Sequence, residues 1–460
     1  MQYIQPMQGK KSILFITTIS SFLTPFMGSA INIALPAIGR ELNMNTIMLG
    51  WVATSYLLAA SVFLLPFGRL ADRNGRKKLF ISGITLFGFA SLLTALAQNS
   101  TLLIAARLLN GIGGAMIYAT ALAILTSAYP KSERGRVLGI NVASVYLGLS
   151  LGPTVGGYLT QMLGWQSIFY LTFLLSLIVI PIGLFHLPKD EEKTKDTTFD
   201  MNGSLIYGLS IAAIIYGFPL IPGISGILIV TTGFAGLYLF TIIEGKASDP
   251  LLNMNLFRQN TVFVYSNLAA FINYSATFAL VFLLSLYLQQ VRKYSPSEAG
   301  LILIAQPVMM TLLSPLAGKL SDKIEPRIVA SAGMIITVIG LASLSFLNQD
   351  SSIIFIVIML MLLGLGFALF SSPNTNAVMS SVKPAEFGIA SATLGTMRLT
   401  GQTMSMGITL LILALVIGKE GNQTNDADNL LSGIKLTFTV FAFLCIAGTW
   451  FSLKRGKIRG

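Results

Sequence analysis

Fourteen apolar stretches constrain this chain more than any other feature. They fall at 12–36, 48–68, 79–98, 101–129, 137–162, 166–187, 203–219, 222–243, 261–288, 299–318, 328–347, 352–380, 387–418 and 433–453. The hydrocarbon core of a bilayer is about 30 Å thick and takes about 20 apolar residues to cross as a helix. The expected fold is therefore an all-α membrane protein of 14 transmembrane helices. Composition agrees, with 54% hydrophobic and 10% charged residues, where a soluble domain carries roughly 45–50% and 25%. The single cysteine, Cys445, excludes an internal disulfide or a cysteine-built metal site. The single histidine, His186, excludes a histidine metal centre or a His-based triad. No enzymatic activity, metal or cofactor is expected.

A net charge of +12 would suggest nucleic acid in a soluble protein. In a membrane chain it points instead to basic cytoplasmic loops, so no nucleic-acid partner is expected. With the N-terminus inside, the inner segments hold 23 of the 30 Lys and Arg, the outer loops and helix ends hold 5, and Arg107 and Arg398 lie within spans. If 203–219 and 222–243 were one re-entrant element, Lys319, Lys323, Arg327 and the tail from Lys454 to Arg459 would fall outside. The charges thus favour fourteen spans in the cell membrane with both termini cytoplasmic. The first stretch follows Lys10 and Lys11 as a signal peptide would, but it runs over 20 residues without a clear cleavage site and is expected to be retained.

The loops carry a repeat. Gly68-Arg-Leu-Ala-Asp72-Arg73, after the second span, recurs as Gly318-Lys-Leu-Ser-Asp322-Lys323 after the tenth, an offset of 250. Glu133, Gly135 and Gly148 recur as Glu386, Gly388 and Gly401, an offset of 253. The unit is six spans, and two further spans separate the copies. This gives an N-terminal half over 1–187, a linker with the inserted pair over 188–260, and a C-terminal half with a basic tail over 261–460. Such repeats place a substrate site near the bilayer midplane between the halves.

In Gly68-Arg69-Leu70-Ala71-Asp72-Arg73-Asn74-Gly75-Arg76-Lys77-Lys78, one acid sits among five basic residues in a tight connection. It can pair with a neighbouring helix end in one conformation and be released in another. Gly75 suits a turn that needs positive φ. The second copy has Glu325 and Pro326 in its place, so a latch there should be weaker. In the fifth span Gly148, Gly152 and Gly156 recur every fourth residue, giving a helix face nearly free of side chains for close packing. Pro153 leaves the Leu149 carbonyl without its helical donor and permits a bend, and Gly157 follows. Arg107 and Arg398 are costly inside a membrane and mark a cavity. Gln402, one turn after Arg398, shares its face.

Together these strings make the whole chain resemble the fourteen-span drug:proton antiporter family of the major facilitator superfamily. The Gly68–Lys78 string resembles the superfamily's signature loop. Gly148-x3-Gly152-Pro153-x2-Gly156-Gly157 looks like its antiporter motif, and Arg107-Leu-Leu-Asn110-Gly111 its fourth-span arginine motif. Asn32-Ile-Ala-Leu-Pro36 fits the family's first-span ending, and Trp165-Gln-Ser-Ile-Phe169 partly fits a motif before its sixth span. The resemblance implies multidrug efflux, proton antiport and alternating access. Its expected conformational latch comprises Gly68, Asp72, Arg73, Gly75, Arg76, Lys77, Gly318 and Asp322, and its gating helix Gly148, Gly152, Pro153, Gly156 and Gly157. Two departures stand out. Met27 occupies the place of the family's first-span aspartate, and Gln166 and Ser167 replace an Arg-Trp pair.

All eighteen carboxylates fall in loops or near helix ends, so a proton relay tuned by mid-membrane burial is not visible, and proton coupling is in doubt. The expected cavity is lined by Met27, Asn32, Arg107, Asn110, Asn267, Asn273, Asn374, Arg398 and Gln402. It should prefer neutral or anionic amphiphiles. The resulting expectation is a monomeric exporter of hydrophobic or amphipathic small molecules, with membrane lipids and protons as further partners. The alternatives are an exporter or flippase of a lipid or anionic amphiphile, and a non-transporting membrane sensor.

Overall fold

The computed structural model describes residues 7–187, 200–247, 250–252, 254–383, 386–418 and 426–456. The N-terminal half contains α1 (Met7–Leu42), α2 (Thr46–Asn74), α3 (Arg76–Ala95), α4 (Ser100–Ala128), α5 (Lys131–Leu163) and α6 (Gln166–His186). The inserted pair is α7 (Met201–Gly217) and α8 (Ile224–Glu244), followed by the short α9 (Met254–Gln259). The ninth span combines α10 (Thr261–Thr277), α11 (Leu280–Leu286) and a π turn over Tyr287–Val291. The tenth combines α12 (Pro296–Leu303) and α13 (Ala305–Lys323). Then come α14 (Pro326–Leu344), α15 (Ile353–Ser380), α16 (Phe387–Ile417) and α17 (Asp426–Lys454). Among the described residues there is no strand, and fourteen helical spans are long and apolar enough to cross a membrane.

Short polar caps set where the spans start. Asn45, Asn99 and Asn260 each accept a hydrogen bond from the backbone N–H three residues on, satisfying a donor that has no helical partner. Ser295 and Glu298 form a capping box at α12. Between α2 and α3 the chain turns at Gly75 with φ +104°, a conformation side chains rarely adopt. The corresponding Glu325 has φ −52° and needs no glycine. The two tight connections therefore differ in backbone geometry as well as in sequence.

The sixfold order repeats in the packing. Within the N-terminal half α1 packs on α5, α2 on α4, and α3 on both α4 and α6. The matching pairs in the other half are α10 on α16, α13 on α15, and α14 on both α15 and α17. The halves meet along two seams, α2 against α16 and α5 against α12 and α13, and α1 also meets α11. The inserted pair lies at the first of these, with α7 against α2 and the Phe218–Leu220 turn against α16. Outward faces are apolar, as lipid contact requires; Phe185, for example, is 83% exposed.

Candidate functional site

A cavity of about 230 Å³ lies between the halves. Its wall takes Asn32 from α1, Tyr56 from α2, Arg107 and Tyr118 from α4, and Tyr146 and Pro153 from α5. The other half supplies Tyr274, Phe278, Gln306, Phe367, Arg398 and Gln402. No Asp or Glu lines it among the described residues. Arg107 is fully buried: its Nε donates to the Val52 carbonyl at 3.1 Å, and its Nη1 lies 3.6 Å from the Met27 sulfur. The Tyr56 ring faces its guanidinium at 4.7 Å. Arg398 reaches over the Tyr274 ring at 5.4 Å. The Asn32 Oδ1 and the Tyr56 hydroxyl are buried at this wall with no hydrogen-bond partner among the described residues.

Four of the nine residues expected at the cavity, Asn32, Arg107, Arg398 and Gln402, line it. The other five do not line it. Met27 lies behind the wall against Arg107 and Ser91. Asn110 joins α4 to α3, donating to the Phe87 carbonyl and the Ser91 hydroxyl. Asn267 bonds back to the Phe263 carbonyl within α10, and Asn273 is buried in the same helix with neither amide atom hydrogen-bonded among the described residues. Asn374 accepts from Arg455 Nη1 at 2.9 Å and donates to the Ser266 carbonyl. Arg455 reads as part of the solvated basic tail, yet it is fully buried in this amide and hydroxyl network. Burial there draws its guanidinium down to about 10. The amides are misplaced because a membrane interior offers them no water, so an amide that joins two helices looks the same in sequence as one that faces a ligand. The six aromatic residues of the wall left no signal either, since aromatic residues also fill the lipid-facing surface.

The glycine face of α5 packs against α1 of its own half. A Cβ on Gly148 would stand 2.6 Å from the Phe22 carbonyl, one on Gly152 2.6 Å from Ser29 Cβ, and one on Gly156 2.7 Å from Ala30 Cβ. The Leu149 carbonyl freed by Pro153 accepts the Ser29 hydroxyl at 3.2 Å. Gly157 instead faces the other half, against the Pro296 carbonyl, while Gly300 of α12 faces the Pro153 carbonyl. At this same end Ser285 donates to the Asn32 carbonyl at 2.6 Å, and Gln289 to the Ile33 carbonyl at 2.9 Å. The Asn32 carbonyl is free because Pro36 has no N–H to give it. These contacts close one end of the interface. Toward the other end Val142 lines the cavity and is 49% exposed.

That open end carries the signature string. Gly68 has open space beside it, Arg69 donates to the Pro250 carbonyl, Arg73 is exposed and Arg76 begins α3. Lys77 Nζ donates to the Leu184 and Leu187 carbonyls, each at 2.8 Å, tying α3 to the end of α6. The side chain of Asp72 lies outside the described residues. In the second copy Gly318 faces Ser372, and Asp322 accepts from Asn376 at 3.4 Å.

The profile of the Major Facilitator Superfamily matches residues 17–243 and 267–459. The riboflavin transporter RibZ of Clostridioides difficile is 31% identical over 395 residues, covering 85% of this chain and 86% of its own length. The multidrug resistance protein Stp of Mycobacterium tuberculosis is 30% identical over 407 residues, 87% of this chain and 75% of its own. Among solved structures, the inward-open xylose transporter XylE of E. coli matches with a TM-score of 0.66 at 14% identity, over 98% of this chain and 97% of its own.

Proposed function

The chain belongs to the Major Facilitator Superfamily, and from that premise we propose that it exports amphipathic, aromatic small molecules that are neutral or anionic. It is a multi-pass membrane transporter, and both halves of the cavity come from one chain, which supports a monomer working by alternating access. The carrying observation is the wall itself: two guanidinium groups, six aromatic residues and no carboxylate among the described residues. Among the described residues nothing accepts a hydrogen bond from Arg398, and an unpaired cation in such a site calls for an anion or a strong acceptor from the solute. Similarity to a riboflavin transporter favours a flat aromatic solute, and similarity to a multidrug resistance protein favours export.

The missing acid bears on energetics. Where the family carries an aspartate, Met27 presents its sulfur to Arg107, so the cavity's charge stays positive. An anion leaving an inside-negative cell gains about 2.3 kcal/mol per charge per 100 mV, which drives export without a proton. With both termini cytoplasmic, the open end faces the cytoplasm and collects solute there. The test is efflux of a fluorescent aromatic anion from proteoliposomes under an imposed potential with no pH gradient, with ethidium as the cationic comparison. Potential-driven anion efflux is the expected result. Efflux of ethidium alone, or of either dye only under a pH gradient, would overturn the reading.

A further inference from the structure

The inserted helix pair contains two carboxyl groups that the cavity does not use. Asp200 caps α7, its Oδ1 accepting from Gly203 N at 2.8 Å. Glu244 ends α8, is 2% exposed, and accepts from Leu252 N at 3.1 Å through Oε2. Each leaves its second oxygen, Asp200 Oδ2 and Glu244 Oε1, buried with no hydrogen-bond partner among the described residues. The two face one another. A Cβ built on Gly203 would stand 2.4 Å from the first and 2.6 Å from the second, so they are at most 5.0 Å apart.

Among the described residues the surroundings supply no compensating charge. Tyr207, Phe240, Leu251 and Leu252 form the apolar cluster at this end of the insert. Of the nearby cations, Arg69 on α2 is bonded to the Pro250 carbonyl, Lys246 is exposed, and Arg258 on α9 lies beside Gly245. None of them forms an ion pair with either carboxyl group among the described residues. Nor is there a cluster of three or more His, Cys, Asp or Glu that could hold a metal among the described residues. Two carboxylates facing each other in apolar surroundings repel, and the second oxygen of each lacks a donor. One proton between them removes the repulsion and gives one oxygen a donor and the other an acceptor role.

We infer that Asp200 and Glu244 form a proton-binding site in the insert, with one proton shared between the two carboxyl groups. The site is linked to the moving parts. The segment held by Glu244 through Leu252 N also presents the Pro250 carbonyl to Arg69 of the signature string. On α7, the Tyr207 hydroxyl donates to the Ser61 carbonyl of α2 at 3.3 Å and lies 3.2 Å from the Thr400 hydroxyl of α16. Proton occupancy thus reaches the signature loop and both halves through the insert, whichever solute the cavity takes.

The experiment is infrared spectroscopy of the full-length protein in nanodiscs, in H2O and D2O, comparing wild type with Glu244→Gln and Asp200→Asn. Asparagine caps a helix as well as aspartate does. In either variant an amide N–H can replace the shared proton, so both should fold. Wild type at neutral pH should show a protonated-carboxyl stretch that shifts in D2O and vanishes at alkaline pH, and each variant should lose it. Absence of that band from wild type, or its survival in both variants, would overturn the proposal. So would a wild type stabilised at neutral pH by sodium or magnesium while lacking the band. A second readout is thermal unfolding. The wild-type midpoint should fall as alkaline pH strips the proton, while the Glu244→Gln midpoint stays level over that interval; parallel curves would count against the site.

Discussion

Substituting Gly300 by alanine should open the closed end of the interface. A Cβ at Gly300 would lie 2.2 Å from the Pro153 carbonyl oxygen, and ordinary contact begins at 3.4 Å, so α5 and α12 must part by about 1.2 Å. Backbone lies on the other side of the contact, so no rotamer change can absorb that displacement. The shift also stretches the bond from Ser297 N to Gln161 Oε1, already 3.3 Å long, beyond hydrogen-bonding distance. Overpacking of this kind costs roughly 1–3 kcal/mol, which is about a five- to 150-fold change in the balance between two conformations. The assay is double electron–electron resonance between spin labels at Leu163→Cys and Ile354→Cys, both exposed and at the closed ends of their halves. Cys445 is fully buried and should leave the background clean. Gly300→Ala should move the distance distribution toward longer separations. The control is Gly139→Ala, on α5 with open space around it, which should not. Identical distributions in the two variants would refute the claim that this contact seals the interface.

Three other outcomes follow from the same geometry. Arg398→Ala should weaken binding of an aromatic anion by about 10- to 100-fold in a fluorescence titration, the worth of a hydrogen bond to a charged group, and Arg398→Lys should restore only part of it because lysine lacks the planar fork. Met27→Asp should put a carboxylate beside Arg107, where the sulfur now lies 3.6 Å from Nη1. In paired efflux assays this variant should lose anion transport and gain ethidium transport. Gly75→Ala should cost about 1–3 kcal/mol because φ is +104° there, lowering the thermal midpoint.

The large-scale architecture was legible because it rests on long signals. Apolar length and loop charge gave the fourteen helices, and two offset echoes pointed to the repeat that the packing follows. Of the residues expected at the cavity, the costly Arg107 and Arg398 line it, and so do Asn32 and Gln402. Asparagine carries no such cost signal, and Asn110 and Asn374 turned out to join helices. Arg455 was hidden by its position, since the last residues of a basic tail look solvated until the fold brings Asn374 and Ser266 against one of them. The closing contacts were half visible. The spacing of the α5 glycines marked a close approach, but only the fold shows that three of them serve α1 and Gly157 the opposite half.

Two prolines, Pro36 and Pro153, each leave one carbonyl with no donor in its own helix, and the two vacancies are filled differently. The Leu149 carbonyl is served by Ser29, a residue of the same half, and keeps that partner however the halves move. The Asn32 carbonyl is served by Ser285, across the interface. When the closed end parts, that oxygen loses its partner, and only water or solute can replace it. Opening there is therefore a wetting event as well as a mechanical one. Its rate should respond to water activity, so osmolytes that dry the interface should hold the transporter shut at this end.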